Sequence, residues 1–235
     1  QALPEWLASI AGDKPLLILL DGINQYTGDT RRFISVLPEG VGEHVRIVVS
    51  ALASDELGYL EKRTWPQHTI QLLNQVRRTS LIKYYLGSFN KSLPSDLIKQ
   101  ITNSTHSNNP LYLKILLDEL RVDASHESLS KRIGIYLQSD SPKALYQQVI
   151  TRWQQDYGEE LTEQMLSLIW SSRFGLSYDE LRDLIVNSQL ELSRLIFGIG
   201  EHLGEISGLH TFMHDALRQA VEDTYTEAEH YRTHL

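Results

Sequence analysis

Hydrophobic positions along the chain follow two rhythms, and the change between them falls near Leu73. Before it stand short, unbroken apolar runs. Leu16–Leu20 reads LLILL and stops on Asp21-Gly22, and Val45–Val49 reads VRIVV and stops on Ser50. Runs of that length predict strands buried on both faces of a parallel sheet. Around them, Leu3–Ile10 predicts a helix stopped by Gly12, and Thr27–Pro38 a short helix closing at Leu37-Pro38. Ser54, with Asp55 and Glu56 behind it, predicts the cap of a helix running to Lys62. His68–Leu72 predicts a third, shorter strand. Strand–helix–strand–helix–strand order implies a parallel sheet covered by helices.

After Leu73 the period becomes helical. Gln75–Phe89, Pro94–Asn103, Pro110–Val122 and His126–Gln138 each carry it. Ser141-Pro142 predicts the start of a long helix to Tyr157, with proline at a favoured first-turn position. Glu159–Ser172, Ser177–Val186 and Gln189–Gly200 continue as helices, and Ser177 with Glu180 has the reciprocal capping spacing. A short hairpin is expected within His202–Phe212, and a last helix over His214–Thr224. No internal repeat, low-complexity tract or long linker interrupts the pattern. The expected organisation is residues 1–73 as an α/β part, 74–140 as a helical module and 141–235 as a second helical domain.

Composition narrows the function classes. Of 235 residues, 41% are hydrophobic and 22% charged, which describes an ordinary globular protein. The net charge of −8 argues against non-specific binding to nucleic acid or to a membrane surface. Cysteine is absent, which excludes a disulfide framework or a cysteine-held metal and fits a reducing, cytoplasmic compartment. No apolar run reaches the roughly 18 residues that a bilayer-spanning helix needs. The opening QALPEWLASIAG has no signal-peptide pattern and no initiator Met, so a piece of a larger protein is expected.

Candidate chemistry gathers where the two strands end: Asp21, Asn24 and Gln25 after the first, Ser50 after the second. Polar groups just past strand carboxyl ends are where open α/β sheets meet ligands. The alternative for Asp21 is a plain Asp-Gly turn, and for Ser50 a turn serine. His202, His210 and His214 invite a metal reading, but no carboxylate stands at helical pairing distance. Arg77, Arg78 and Lys83 beside Tyr84 and Tyr85 read better as a solvated helix face than as a nucleic-acid surface.

Taken in order, several segments resemble the STAND class of P-loop ATPases, in its NACHT-type branch of nephrocystin-3-like and telomerase-protein-component-like proteins. LLILLDGINQ resembles their Walker B strand and VRIVVSAL the following sensor-1 strand. Asn108–Leu120 resembles the helical module with a G-x-P signature, Ser171–Ile185 the start of a winged-helix domain, and Thr211–Asp215 its MHD-type close. The resemblance implies the sheet remnant of an ASCE-type P-loop NTPase, then a helical lid, then a winged-helix-like domain. It also implies a switch driven by ATP, ADP and Mg²⁺ in the full-length parent, which self-oligomerises or engages signalling proteins. Asp21 would hold Mg²⁺, Ser50 and Pro110 would contact nucleotide, and His214 would reach the β-phosphate of ADP. The sequence also departs from that pattern. Asn24 and Gln25 take the place of a catalytic acid, Ala51-Leu52 replaces a following arginine, and Asn108 replaces the signature glycine. No G-x-x-x-x-G-K-[ST] loop is present, so the fragment itself is expected to hold no nucleotide. A degenerate NTPase serving as a protein–protein scaffold, or an all-α adaptor, are the alternatives.

Overall fold

The computed structural model describes residues 5–7, 14–23, 26, 28–38, 40–52, 57–122, 126–185 and 189–225. The expectations at Asn24, Gln25, the Gly12 stop and the Ser54 cap lie outside the described residues. The chain divides into two compact units, Gln1–Ile70 and Gln71–Leu235.

In the first unit, β1 (Leu16–Leu20) and β2 (Val45–Val49) pair in parallel, with Leu16 opposite Val45 and Leu20 opposite Val49. Parallel neighbours need a crossover, and α1 (Thr30–Val36) lies in it. Asp29 caps α1 by accepting from the Arg32 N–H at 2.9 Å. Arg63, beyond α2 (Leu57–Glu61), donates to the carbonyls of Ile34, Leu37 and Pro38 and so satisfies the orphan acceptors at the end of α1. The expectation of strands buried on both faces is corrected here. Leu17 and Leu19 are 59% and 65% exposed, so one face of the pair is open. Leu16, Ile18 and Leu20 point to the other, half-buried face. An uninterrupted run fixes strand length but not what covers it.

His68–Leu72 forms no strand. Ile70 and Leu72 are exposed, and no neighbouring strand pairs with this stretch among the described residues. The fold expectation is therefore corrected as well. Instead of the sheet remnant of a P-loop NTPase, the described residues are mostly helical, with two sheets of only two strands each.

The second unit contains α3 (Gln75–Gly87), α4 (Ser95–Asn103), α5 (Pro110–Val122), α6 (His126–Tyr136), α7 (Pro142–Tyr157), α8 (Glu159–Ser171), α9 (Tyr178–Leu184), α10 (Gln189–Ile199) and α11 (Asp215–Thr224). Its core runs without a break from Ile82 to Tyr225. Helix α7 is the centre, packed against α5, α8, α10 and α11. Ser141 starts it by accepting from the Ala144 N–H, and Pro142 occupies the first turn. Leu145, Tyr146, Val149, Ile150 and Trp153 then recur on one face, and all are fully buried. Burial at that level contributes ~1.5–3 kcal/mol per large side chain. Gly158, at φ 98°, ends the helix with a backbone few other residues adopt.

Beyond α8, Leu176 and His210 exchange backbone hydrogen bonds of 3.0 and 2.7 Å. The capping box expected at Ser177 and Glu180 is formed at the start of α9. Strands β3 (Leu203–Ile206) and β4 (Leu209–Phe212) make a hairpin through Ser207-Gly208, both at positive φ, the geometry of a tight two-residue turn.

Candidate functional site

Asp21 and Ser50 are brought together by the parallel register, each one residue past its strand. Ser50 Oγ donates to Asp21 Oδ1 and accepts from the Gly22 N–H at 2.8 Å. The Ile23 N–H continues the ladder to the Ser50 carbonyl at 3.1 Å, and Gly22 turns at φ 62°. The result is a closed knot of hydrogen bonds at the open end of the sheet. One carboxylate oxygen and the hydroxyl satisfy one another.

In the second unit, Pro110 is exposed at the first turn of α5, where Asn109 caps the helix through the N–H groups of Leu111 and Tyr112. His214 is the residue before α11, and its carbonyl accepts from Leu217 and Arg218. Its Nε2 is buried without a hydrogen-bond partner among the described residues. Burial, then the positive charge of Lys114, lowers the His214 pKa, so the ring is held neutral. Asp118 acts in the opposite direction.

The polar centre of this unit lies in residues the sequence reading passed over. Asp118 and Glu119 are consecutive buried carboxylates on α5. Asp118 accepts from the Tyr85 hydroxyl on α3 and pairs with Lys114 at 2.8 Å. Glu119 turns the other way. It takes a two-point bond from Arg152 on α7, at 2.5 and 3.0 Å, and accepts from the Tyr136 hydroxyl at 2.8 Å. Burial and the Glu119 charge raise the Tyr136 pKa, so the phenol stays protonated and donates. Nearby, His202 lies between Tyr146 and Trp153, its Nδ1 3.4 Å from the Tyr146 hydroxyl. The available signal was two acids inside LLDEL, at helical positions whose neighbours Leu116, Leu117 and Leu120 are core. Such acids have to be paired. Every charge in this cluster has a protein partner, and the arrangement reads as a structural lock between α3, α5, α6 and α7.

Mg²⁺ and nucleotide, implied by the resemblance, can be tested against these residues. Magnesium held by one carboxylate takes its remaining ligands from phosphates and water. The phosphate-cradling loop that would bring them is not in this sequence. Among the described residues no three His, Asp or Glu side chains gather to hold a metal ion. The residues present do not by themselves fit a Mg²⁺–nucleotide complex. Among the described residues, no helix is long and apolar enough to cross a membrane.

Comparison with known proteins moves the family reading. The chain is 26% identical over 222 residues to a TPR repeat-containing protein of Dictyostelium discoideum, covering 90% of this chain and 13% of that protein. It is 23% identical over 184 residues to telomerase protein component 1 of Mus musculus, covering 75% of this chain and 7% of the relative. A putative tetratricopeptide repeat protein 41 of Homo sapiens is 26% identical over 204 residues, 73% of this chain and 15% of the relative. The chain thus spans a small fraction of each relative's length. No family model and no solved structure matches it. The STAND, NACHT-type, P-loop-ATPase and winged-helix expectations find no support here and are set aside. Two of these three relatives, from Dictyostelium discoideum and Homo sapiens, are named for tetratricopeptide repeats.

Proposed function

We propose that this chain is a protein–protein interaction module of a larger cytoplasmic protein, acting as a scaffold. The observation that carries this reading is the outer face of α10. Leu192, Leu195 and Ile199 anchor that helix in the core, while Leu190 and Phe197 stand 71% and 91% exposed. The seven-residue spacing puts both on one stripe, with Arg194 between them. Contiguous apolar patches mark interaction sites, and we take these two side chains, on one stripe of α10, as part of such a patch. An amphipathic helix from a partner protein, laid along α10, would cover them. Two of the relatives' names support this reading, because tetratricopeptide repeats are stacked helix pairs that offer extended binding surfaces.

The test is affinity capture followed by mass spectrometry with three forms of the chain. Partners identified with the wild type are expected to be lost by Leu190→Glu/Phe197→Glu, whose circular dichroism and melting stay unchanged. Asp21→Ala is expected to retain them, with or without added ATP. Capture of the same partners by the double variant would overturn the surface. Loss on Asp21→Ala would overturn the scaffold reading itself.

A further inference from the structure

A second surface is carried by a different pair of helices. Between α3 and α4 a cleft of about 380 Å³ opens to solvent. On α3 it is walled by Val76, Thr79 and Lys83, and on α4 by Ile98, Lys99 and Thr102. These fall at i, i+3, i+7 and i, i+1, i+4, so each helix presents one continuous stripe to the cleft. The floor is closed by Ile98 and Thr102, both buried, while Val76 is exposed at the rim. Gln75 donates to the Asn103 side chain at 3.2 Å and ties the two helices at one end.

The charge of this cleft runs against that of the molecule. The chain carries a net −8, yet both charged residues lining the cleft are lysines. Among the described residues neither Lys83 nor Lys99 has a side-chain hydrogen bond or ion pair. Asp96, on the same helix, is not part of the lining. An apolar floor between two free ammonium groups does not suit a bare anion, which gains nothing from Val76 and Ile98. It suits a segment that brings apolar side chains and carboxylates together. Helix-in-groove recognition supplies that pairing, with apolar anchors at i and i+3 or i+4 and charges on the flanks.

We propose that the α3–α4 cleft is a docking site for an acidic amphipathic helix, whose apolar side chains enter between Val76 and Ile98 and whose carboxylates meet Lys83 and Lys99. This rests on the interaction-module reading but uses a surface separate from α10. The experiment is fluorescence anisotropy with the whole chain and a labelled helical peptide of about 16 residues, leucine along one face and glutamate elsewhere. A matched peptide with lysine for glutamate is the control. The acidic peptide is expected to bind roughly ten times tighter than its control, and to weaken as salt is raised. Lys83→Glu/Lys99→Glu is expected to reverse that preference, and Val76→Ser to weaken both peptides. Leu190→Glu/Phe197→Glu is expected to leave peptide binding unchanged, so the two surfaces fail or stand separately. No binding, equal binding of the two peptides, or an unaltered preference in the lysine variant would each overturn the proposal. Displacement of the acidic peptide by inorganic phosphate would overturn it in favour of a simple anion site.

Discussion

His202 is a base kept in a place built for a neutral ring. Burial pushes its pKa down to about 4 from an ordinary 6.5. In the unfolded chain the ring takes up a proton as pH falls through 6.5, while the folded protein resists until about 4. The unfolded state therefore binds more protons across that window. The contribution of His202 to stability is full above pH 6.5 and declines as pH falls to 4, by about 3 kcal/mol in all. Urea titrations at pH 7 and pH 4.5 should show this loss, and His202→Phe should remove most of it. An unchanged pH slope in the variant would place the acid sensitivity elsewhere. Gly175 makes a sharper demand on the backbone. It sits at φ 96°, and a Cβ added there would lie 2.4 Å from the His210 carbonyl oxygen. That oxygen is fixed by the Leu176 N–H, so it cannot easily move aside. Gly175→Ala should cost about 2 kcal/mol or more by chemical denaturation, and a neutral result would show that the turn relaxes.

At the scale of elements, the Glu119–Arg152 pair joins α5 to α7 in surroundings that exclude water. Burial by itself would lower the Arg152 pKa, but the hydrogen bonds and charge of Glu119 more than offset it. Glu119→Gln keeps the shape and removes the charge. Asp156, half-exposed and one helical turn away, is then the carboxylate that Arg152 retains. The expected loss is about 3 kcal/mol in equilibrium unfolding, and a change under ~0.5 kcal/mol would mean the pair is replaceable. Helices of this kind were legible in the sequence, because capping residues and apolar spacing act within one element. Ser141-Pro142 marks the start of α7, and Ser177 with Glu180 marks α9. The strands LLILL and VRIVV were legible for the same reason. What lies against an element was not. The run of leucines in β1 cannot report that Leu17 and Leu19 face solvent, and His68–Leu72 has strand composition without a neighbour. Asp118 and Glu119 were missed because their partners, Tyr85, Tyr136 and Arg152, come from three other helices. The family resemblance rested on strings of a few residues, in segments whose apolar spacing is common to many helices and strands. Of the relatives matched along most of the chain, telomerase protein component 1 falls among the proteins that the resemblance named, while the other two are named for tetratricopeptide repeats and not for an ATPase.

At the scale of the whole molecule, the two units differ in how their apolar surface is covered. From α3 to α11 the second unit has one continuous core, with Trp153, Tyr112 and Tyr146 fully buried. In the first unit, the parallel strands have one solvated face, and parallel sheets are ordinarily covered on both. Opening free energy follows buried apolar contact and the shielding of backbone hydrogen bonds. Hydrogen exchange followed by mass spectrometry on the intact chain should therefore separate the units. Amides of Leu16–Leu20 and Val45–Val49 are expected to exchange through low-energy openings. Those of α5, α7 and α8 should exchange only near the global unfolding free energy. The Leu190→Glu/Phe197→Glu and Lys83→Glu/Lys99→Glu variants should leave both patterns intact, since their side chains stand outside the core. Equal protection in the two units would mean that Leu17, Leu19 and Val48 are covered in solution. Where a second copy of the chain is that cover, a concentration-dependent molar mass in light scattering would accompany the slow exchange, and Leu19→Lys would abolish both.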